Sequence, residues 1–278
     1  MKFTKMHGIG NDYVYVNCFE ENVEDPSGLS LLMSRPHFGV GSDGLILIGP
    51  SDDADFEMRI FNSDGSEADM CGNGIRCVGK YVYERGLTKK TEVTVSTAAG
   101  LKKLDLTVQG GLVTRVKVDM GEPRFTPAEI PVTLEGEKIL RYPLNILGQD
   151  WPITCVSMGN PHAVIFVNDP LRVDLPVIGA MIEHYPLFPR RTNVEFVRVI
   201  RRDMLEMRVW ERGAGETLAC GTGACAALAA AVVNGLADRK AQVKLSGGNL
   251  QLEWNEEDGH IYQSGPASFV FDGEWLGT

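Results

Sequence analysis

Nowhere does the chain carry an uninterrupted apolar stretch near the roughly 18 residues that a membrane-crossing helix requires. Its opening residues, MKFTKMHGIGND, lack the apolar segment of a secretory signal. A soluble, cytoplasmic protein is therefore expected. There is also no run of Lys and Arg that could track a phosphate backbone. The 27 basic residues are outnumbered by 37 acidic ones, for a formal charge of −10 over 278 residues, so nucleic acid is not an expected partner. CxxC spacing is missing, and His7, His37, His162, His184 and His260 are scattered, so no metal site is expected. Without an export signal, Cys18, Cys71, Cys77, Cys155, Cys220 and Cys225 are expected to be reduced rather than paired. No phosphate-binding G-x-x-x-x-G-K-[ST] loop occurs. GVGSDG, at 39–44, fits G-x-G-x-x-G, but the strand-like LILI follows it instead of a helix, which argues against a dinucleotide fold. No local feature marks a pyridoxal phosphate lysine, and no cofactor is expected.

Two short turns are present twice. ADMCGNGIRC at 68–77 and LACGTGACAA at 218–227 each place a cysteine directly before Gly-x-Gly, at an offset of 220 − 71 = 149. The same offset relates EMRIFN at 57–62 to EMRVWE at 206–211, Glu67 to Glu216, and the GN pair at 10–11 to that at 159–160. Self-similarity at one fixed spacing is the mark of an internal repeat. The expected architecture is α/β (α+β), with two pseudo-symmetric domains. Residues 1–120 form the first, completed by the C-terminal end of the chain; 121–149, rich in Pro and Glu, form a crossover; 150–278 form the second.

Within the first half, DYVYVNCF, GLILIGP, FEMRIFN, TEVTVST and GLVTRVKVDM are alternating or β-branched runs bounded by turn residues, and read as strands. GNGIRCVGKYVYERGL and GTGACAALAAAVVNGLA have helical spacing, and each closes on Gly-Leu as a C-terminal cap would. Each half is then a curved, mixed or antiparallel sheet around one central helix. The alanine-rich second helix should be buried on most sides.

The glycines after each cysteine permit close approach of a ligand to the backbone, and the first turn of a helix leaves N–H groups for an anion. The helix dipole at the same place would lower the pKa of a cysteine and favour its thiolate. A small buried residue in a tight turn would account for either cysteine alone. Its duplication points instead to chemistry: one thiolate removes a proton from a carbon acid while a second thiol donates one to the opposite face. Polar residues recur at matched positions, as Asn11 with Asn160, Asn62 with Glu211, and Gly44 with Asn193. With Arg212 they could hold an amino acid substrate, although each asparagine alone reads equally as a turn former. His162, in MGNPHAV, could tune a thiol or simply pack beside a turn.

The ordered set MKFTKMHGIGNDYV, RIFNSDGSEADMCGNGIRC, SMGNPHAV, RTNVEF and ERGAGETLACGTGACAA resembles the diaminopimelate epimerase family along the whole chain. The resemblance implies two similar α/β domains with a site in the cleft between them, and a homodimer. It implies cofactor-independent interconversion of LL- and meso-diaminopimelate for lysine and peptidoglycan precursors, with Cys71 and Cys220 as the two acid–base groups. Backbone amides of Gly72, Asn73, Gly221 and Thr222 would hold the α-carboxylate. Asn11, Asn62, Asn160, Asn193, Glu211 and Arg212 would contact substrate, and His162 and Glu211 would modulate the thiols. Gly44 departs from the family, in which glutamine is common at this turn. The nearest alternative is the proline and hydroxyproline racemase group, which also uses two cysteines but carries histidine where this chain has Asn73. A non-catalytic binding protein or a phenazine-biosynthesis-like isomerase on the same scaffold would be expected to lose one or both cysteines.

Overall fold

A computed structural model describes residues 1–277; the last residue of the second repeat half lies outside it. The chain divides into two compact units, one of Met1–Asp119 with the segment from Ser264, the other of Met120–Gln263. The stretch 121–149 belongs to the second unit, where its strand Tyr142–Ile146 pairs with Gln149–Ser157.

Four α-helices lie among the described residues: α1 (Pro26–Met33), α2 (Gly72–Glu84), α3 (Leu175–Glu183) and α4 (Gly221–Val233). Their starts repeat the sequence offset, since 175 − 26 = 149 and 221 − 72 = 149. The two short helices α1 and α3 are not foreseen from the hydrophobic pattern. Pro26 near the start of α1 and the Asp25 side chain accepting from the Gly28 N–H are the signals that a reading based on apolar spacing passes over.

The strands repeat as well. In the first unit Asn11–Asn17 runs parallel to Gly44–Gly49, which is antiparallel to Phe56–Asn62, which in turn is parallel to Glu92–Thr97. In the second unit Pro161–Phe166 is parallel to Asn193–Arg201, which is antiparallel to Met204–Glu211, itself parallel to Lys240–Leu245. Each unit is thus a mixed sheet about a central helix, and all five runs expected as strands in the first half are strands. Gly100–Gln109 adds a strand obscured by its lysines; only every second residue, as at Leu104 and Leu106, turns inward.

The central helices are bounded as their sequences imply. After α4, Gly235 takes φ 72°, its N–H reaches the Val232 carbonyl at 2.9 Å, and the Leu236 N–H reaches the Ala231 carbonyl at 2.8 Å. This is the paired closure that a left-handed glycine permits. Gly86 closes α2 with φ 76°. Every residue from Ala224 to Ala231 is inaccessible to solvent, and α4 touches six strands of its unit. Alanine suits this position because it lets strand backbones approach on several sides at no side-chain entropy cost. Replacing Ala229 by leucine should therefore overpack the unit and cost about 1–3 kcal/mol of stability. A urea midpoint equal to that of the unmodified protein would show that the helix has room on that side.

Candidate active site

Each unit presents a cysteine as the N-cap of its central helix. Cys71 has extended backbone, φ −137° and ψ 113°, and its Sγ accepts from the Gly74 N–H at 3.3 Å. Cys220, at φ −125° and ψ 113°, accepts from the Gly223 N–H at 3.4 Å. A thiol in place of the usual Ser, Thr, Asp or Asn caps the helix while standing at its positive end. Gly72 and Asn73, like Gly221 and Thr222, occupy the first two helical positions, where an α-helix has no carbonyl of its own to accept from the N–H groups.

Around Cys71 the polar groups form a chain. The Cys71 thiol donates to Asn11 Oδ1 at 3.3 Å, and Asn73 Nδ2 donates to the same oxygen at 3.3 Å. Asn11 Nδ2 donates to Asp43 at 2.6 Å. Arg76, fully buried, donates to the Gly72 carbonyl at 3.0 Å, to Asn73 Oδ1 at 2.8 Å and to the Pro266 carbonyl at 3.3 Å, which braces the cysteine turn from behind. Asn62 makes a separate contact, donating to Ser66 at 3.0 Å. At Gly44, which pairs with Asn62 across the ladder, an added Cβ would lie 2.1 Å from the Phe61 carbonyl oxygen and 3.0 Å from the Tyr13 ring. No side chain fits there in this backbone.

Around Cys220 the corresponding chain contains carboxylates. Asn160 Nδ2 donates to Thr222 Oγ1 at 3.3 Å, and that hydroxyl lies 3.6 Å from Cys220 Sγ. His162, wholly buried, places Nε2 2.9 Å from Asn160 Oδ1 and Nδ1 2.6 Å from Glu195. Thr217 donates to Glu211 at 2.5 Å. Asn193 serves the backbone: its Nδ2 donates to the Pro161 carbonyl and its Oδ1 accepts from the Arg212 N–H, both at 2.9 Å. The Arg212 side chain is exposed and donates to the Arg190 carbonyl at 3.2 Å. Buried Glu183 accepts from the Gly213 N–H at 2.9 Å and from Trp210 at 2.7 Å, which fixes the turn after Glu211.

The electrostatics correct one expectation. A helix mouth should favour thiolate, yet the Cys220 thiol is pushed well above its ordinary value by burial, and further by the negative charge of Glu211 and Glu195. The Gly223 N–H works in the opposite direction and is outweighed. In this state the proton stays on Cys220. Glu211 is itself raised, mainly by burial. On the first unit, burial and the neighbouring Cys71 push Tyr13 up, and burial likewise raises Asp43.

Sequence reasoning passed over Tyr13, Asp43, Arg76, Glu183, Glu195 and Thr217. Two of these carried a signal. Tyr13 is the repeat partner of His162, since 162 − 13 = 149, and Glu195 is an acid inside the apolar strand run NVEFV. The others become visible only when strands and turns converge.

The same architecture occurs in solved structures of distant sequence. They include a probable proline racemase from Agrobacterium radiobacter K84 with bound carbonate (TM-score 0.72, 18% identity, covering 99% of this chain and 92% of that one). A Bacillus anthracis phenazine biosynthesis protein of the PhzF family matches with TM-score 0.71 and 19% identity over 99% of both chains. Fold and duplicated cysteine caps thus define a protein of two α/β units in the architecture that these structures share. Sequence narrows the class. The profile of the diaminopimelate epimerase family matches residues 3–126 and 154–270. A protein named diaminopimelate epimerase from Acetivibrio thermocellus is 61% identical over 99% of this chain and 98% of its own. One of the same name from Methanococcus maripaludis is 56% identical over 99% of each. The chain belongs to the diaminopimelate epimerase family.

The raised Cys220 thiol gives a measurable expectation. Alkylation of Cys220 by iodoacetamide, followed by peptide mass spectrometry across pH, should show a midpoint above the ordinary 9.0. Glu211→Gln removes a negative charge that opposes thiolate, so its midpoint should fall toward that value. A wild-type midpoint at or below 9.0 would contradict the assignment.

Proposed function

We propose that this chain interconverts LL- and meso-2,6-diaminopimelate by proton transfer between two cysteines, as a cytoplasmic enzyme acting as a homodimer. The observation that carries the reading is the duplicated cap: Cys71 and Cys220, 149 residues apart, each accept from the N–H of the residue three further on at the mouth of a central helix. Membership of the family, and relatives named for this activity at 61% and 56% identity, support the substrate.

In the proposed reaction one cysteine acts as thiolate and removes the α-hydrogen, breaking the C–H bond and leaving its electron pair on the α-carbon. The other, as thiol, gives its proton to the opposite face, so the centre inverts and the two sulfurs exchange protonation states. Only protons move, and no electron acceptor is required. In one direction Cys220 is the donor and Cys71 the base; the reverse direction exchanges them. The α-carboxylate would lie against the N–H groups of Gly72, Asn73, Gly221 and Thr222, which are aimed where negative charge grows as the C–H bond breaks. Asn11 beside Cys71, and Asn160 with His162 beside Cys220, would order the polar groups near each sulfur. Glu211 would hold the Cys220 proton until transfer.

Two thiols and two helix mouths would accept many amino acids, so selectivity must come from the distal end. We assign it to Asn62, Asn160, Asn193, Glu211 and Arg212, whose contacts to the second amino and carboxylate groups would position the reacting carbon. The proline racemase alternative resembles this chain at 18% identity and through fold alone.

The direct test is incubation with LL-diaminopimelate in D₂O, without added cofactor, followed by NMR of the α-hydrogens. Solvent deuterium should enter the inverted centre. Cys71→Ala and Cys220→Ala should each lower turnover at least about a hundredfold with the circular dichroism spectrum unchanged, because each removes the acid or base on one face. Near-normal turnover in either variant would sink the two-thiol mechanism. Arg212→Met should cost about 2–4 kcal/mol in kcat/KM by removing a charge-assisted partner of the distal carboxylate. A loss of only about twofold, or wild-type protein that epimerises proline as fast as diaminopimelate, would refute the selectivity assignment.

A further inference from the structure

The carboxylate of Glu195 sits inside the second unit with no solvent contact, yet nothing in the reaction above requires it. One of its oxygens, Oε1, lies 2.6 Å from His162 Nδ1, while the other, Oε2, has no hydrogen-bond partner among the described residues. A buried, half-satisfied carboxylate is costly, and a fold that can do without one should not keep it. The first unit supplies the internal comparison. At the offset of 149, His162 corresponds to Tyr13 and Glu195 to Ile46, so the same parallel strand pair is built there with neither an acid nor an imidazole at those two positions. The pair is not a requirement of the architecture.

What the pair does follows from the other ring nitrogen. His162 Nε2 lies 2.9 Å from Asn160 Oδ1, which can only accept. On the other side of the amide, Asn160 Nδ2 donates to Thr222 Oγ1 at 3.3 Å. Both ring nitrogens therefore face oxygens. Two arrangements satisfy them: an imidazolium between a carboxylate and the amide oxygen, or a neutral imidazole that donates through Nε2 and accepts from a protonated Glu195. Both put a hydrogen on Nε2. A neutral ring protonated at Nδ1 would instead set a nitrogen lone pair against the amide oxygen.

We propose that Glu195 is a positioning residue that anchors the His162 ring through Nδ1, so that Nε2, protonated against the Asn160 oxygen, acts as a fixed donor holding Asn160, and through it Thr222, in place beside Cys220. The relay runs from Glu195 to His162, Asn160, Thr222 and the Cys220 sulfur, all within one unit. His162 then influences the thiol through Asn160 and does not itself remove a proton at Nε2. The other titratable groups that feel Glu195 are Glu211 and Cys220, both of which its negative charge pushes up. The inference deepens the epimerase reading and rests on it for the consequence to turnover, but the proton on Nε2 can be read without any substrate.

The test has two parts. In ¹⁵N-labelled, ligand-free wild-type protein, long-range ¹H–¹⁵N correlation resolves the ring nitrogens of the five histidines, and His162 is assigned by the signal missing in His162→Gln. Its Nε2 should keep the shift of a protonated nitrogen throughout pH 6–8. An unprotonated Nε2 anywhere in that range would mean that Asn160 is turned the other way, and would overturn the proposal. The second part compares two substitutions by kcat/KM, with thermal unfolding recorded for both. Glu195→Ile, the residue of the first unit, leaves Nδ1 without a partner and the ring without its anchor, and should lose at least about tenfold. Glu195→Gln can donate its amide to Nδ1 and so preserve the Nε2 hydrogen; it should lose less than about threefold. If Glu195→Gln is as impaired as Glu195→Ile, the negative charge matters and positioning does not, and the proposal fails. Should Glu195→Ile not fold, the wild-type spectrum and the glutamine variant still decide. Wild-type protein that leaves diaminopimelate unchanged while showing a protonated Nε2 would refute the activity and leave this assignment standing.

Discussion

A sulfur atom that accepts a hydrogen bond from the backbone N–H three residues further on is the contact on which the proposed chemistry of this protein depends. It occurs once in each unit and dictates what may surround it. Glycine as the donor residue leaves room for these neighbours: a Cβ on Gly74 would come within 2.6 Å of Ile46 and 3.5 Å of Cys71 Sγ, and one on Gly223 within 2.7 Å of Glu195 and 3.2 Å of Cys220 Sγ. The cap also places the first helical N–H groups and the thiol at the same helix mouth. In the proposed reaction, one turn of backbone thus supplies both a site for a carboxylate and a site for an acid–base group.

Behind this common frame the two units are electrically different. Arg76 braces the Cys71 turn as a buried cation, and Ile46 is the residue nearest the helix-mouth glycine. The Cys220 turn has Cys225 at the position equivalent to Arg76, and carboxylates at Glu195 and Glu211. Duplication set the backbone; divergence of a few side chains then made one thiol a proton holder. A perfectly symmetric pair would have no reason to rest with a defined proton distribution, and a two-base reaction needs one acid and one base at the start of each turnover.

The expected and observed structures agree where a local rule governs. The central helices were legible because Cys-Gly-x-Gly opens each, Gly-Leu closes each, and the intervening spacing is helical. The five strands of the first half were legible from alternation. The helices α1 and α3 escaped because each is short and its apolar face is brief. Gly100–Gln109 was passed over because charge on its outer face dilutes the pattern. Among site residues, the cysteines, asparagines and His162 stand in turn motifs that recur at one offset. Arg76 and Glu195 lie in the quoted motifs, but nothing local distinguishes a buried charge from a solvated one.

By itself, then, the sequence determined the duplication, the placement of two thiols at helix mouths, and the identity of the family, because each depends on residue order alone. Tertiary structure decided the protonation of the Cys220 thiol. Whether a helix mouth favours thiolate depends on how deeply the sulfur is buried and which charges fold against it, and at Cys220 burial with two carboxylates outweighs one backbone N–H. The carboxylates come from Glu195 and Glu211, 25 and 9 residues before the cysteine in sequence, and the strands that bear them are adjacent because they pair in the sheet. Desolvation and Coulomb interaction act through space, so the local sequence around a cysteine cannot state its charge.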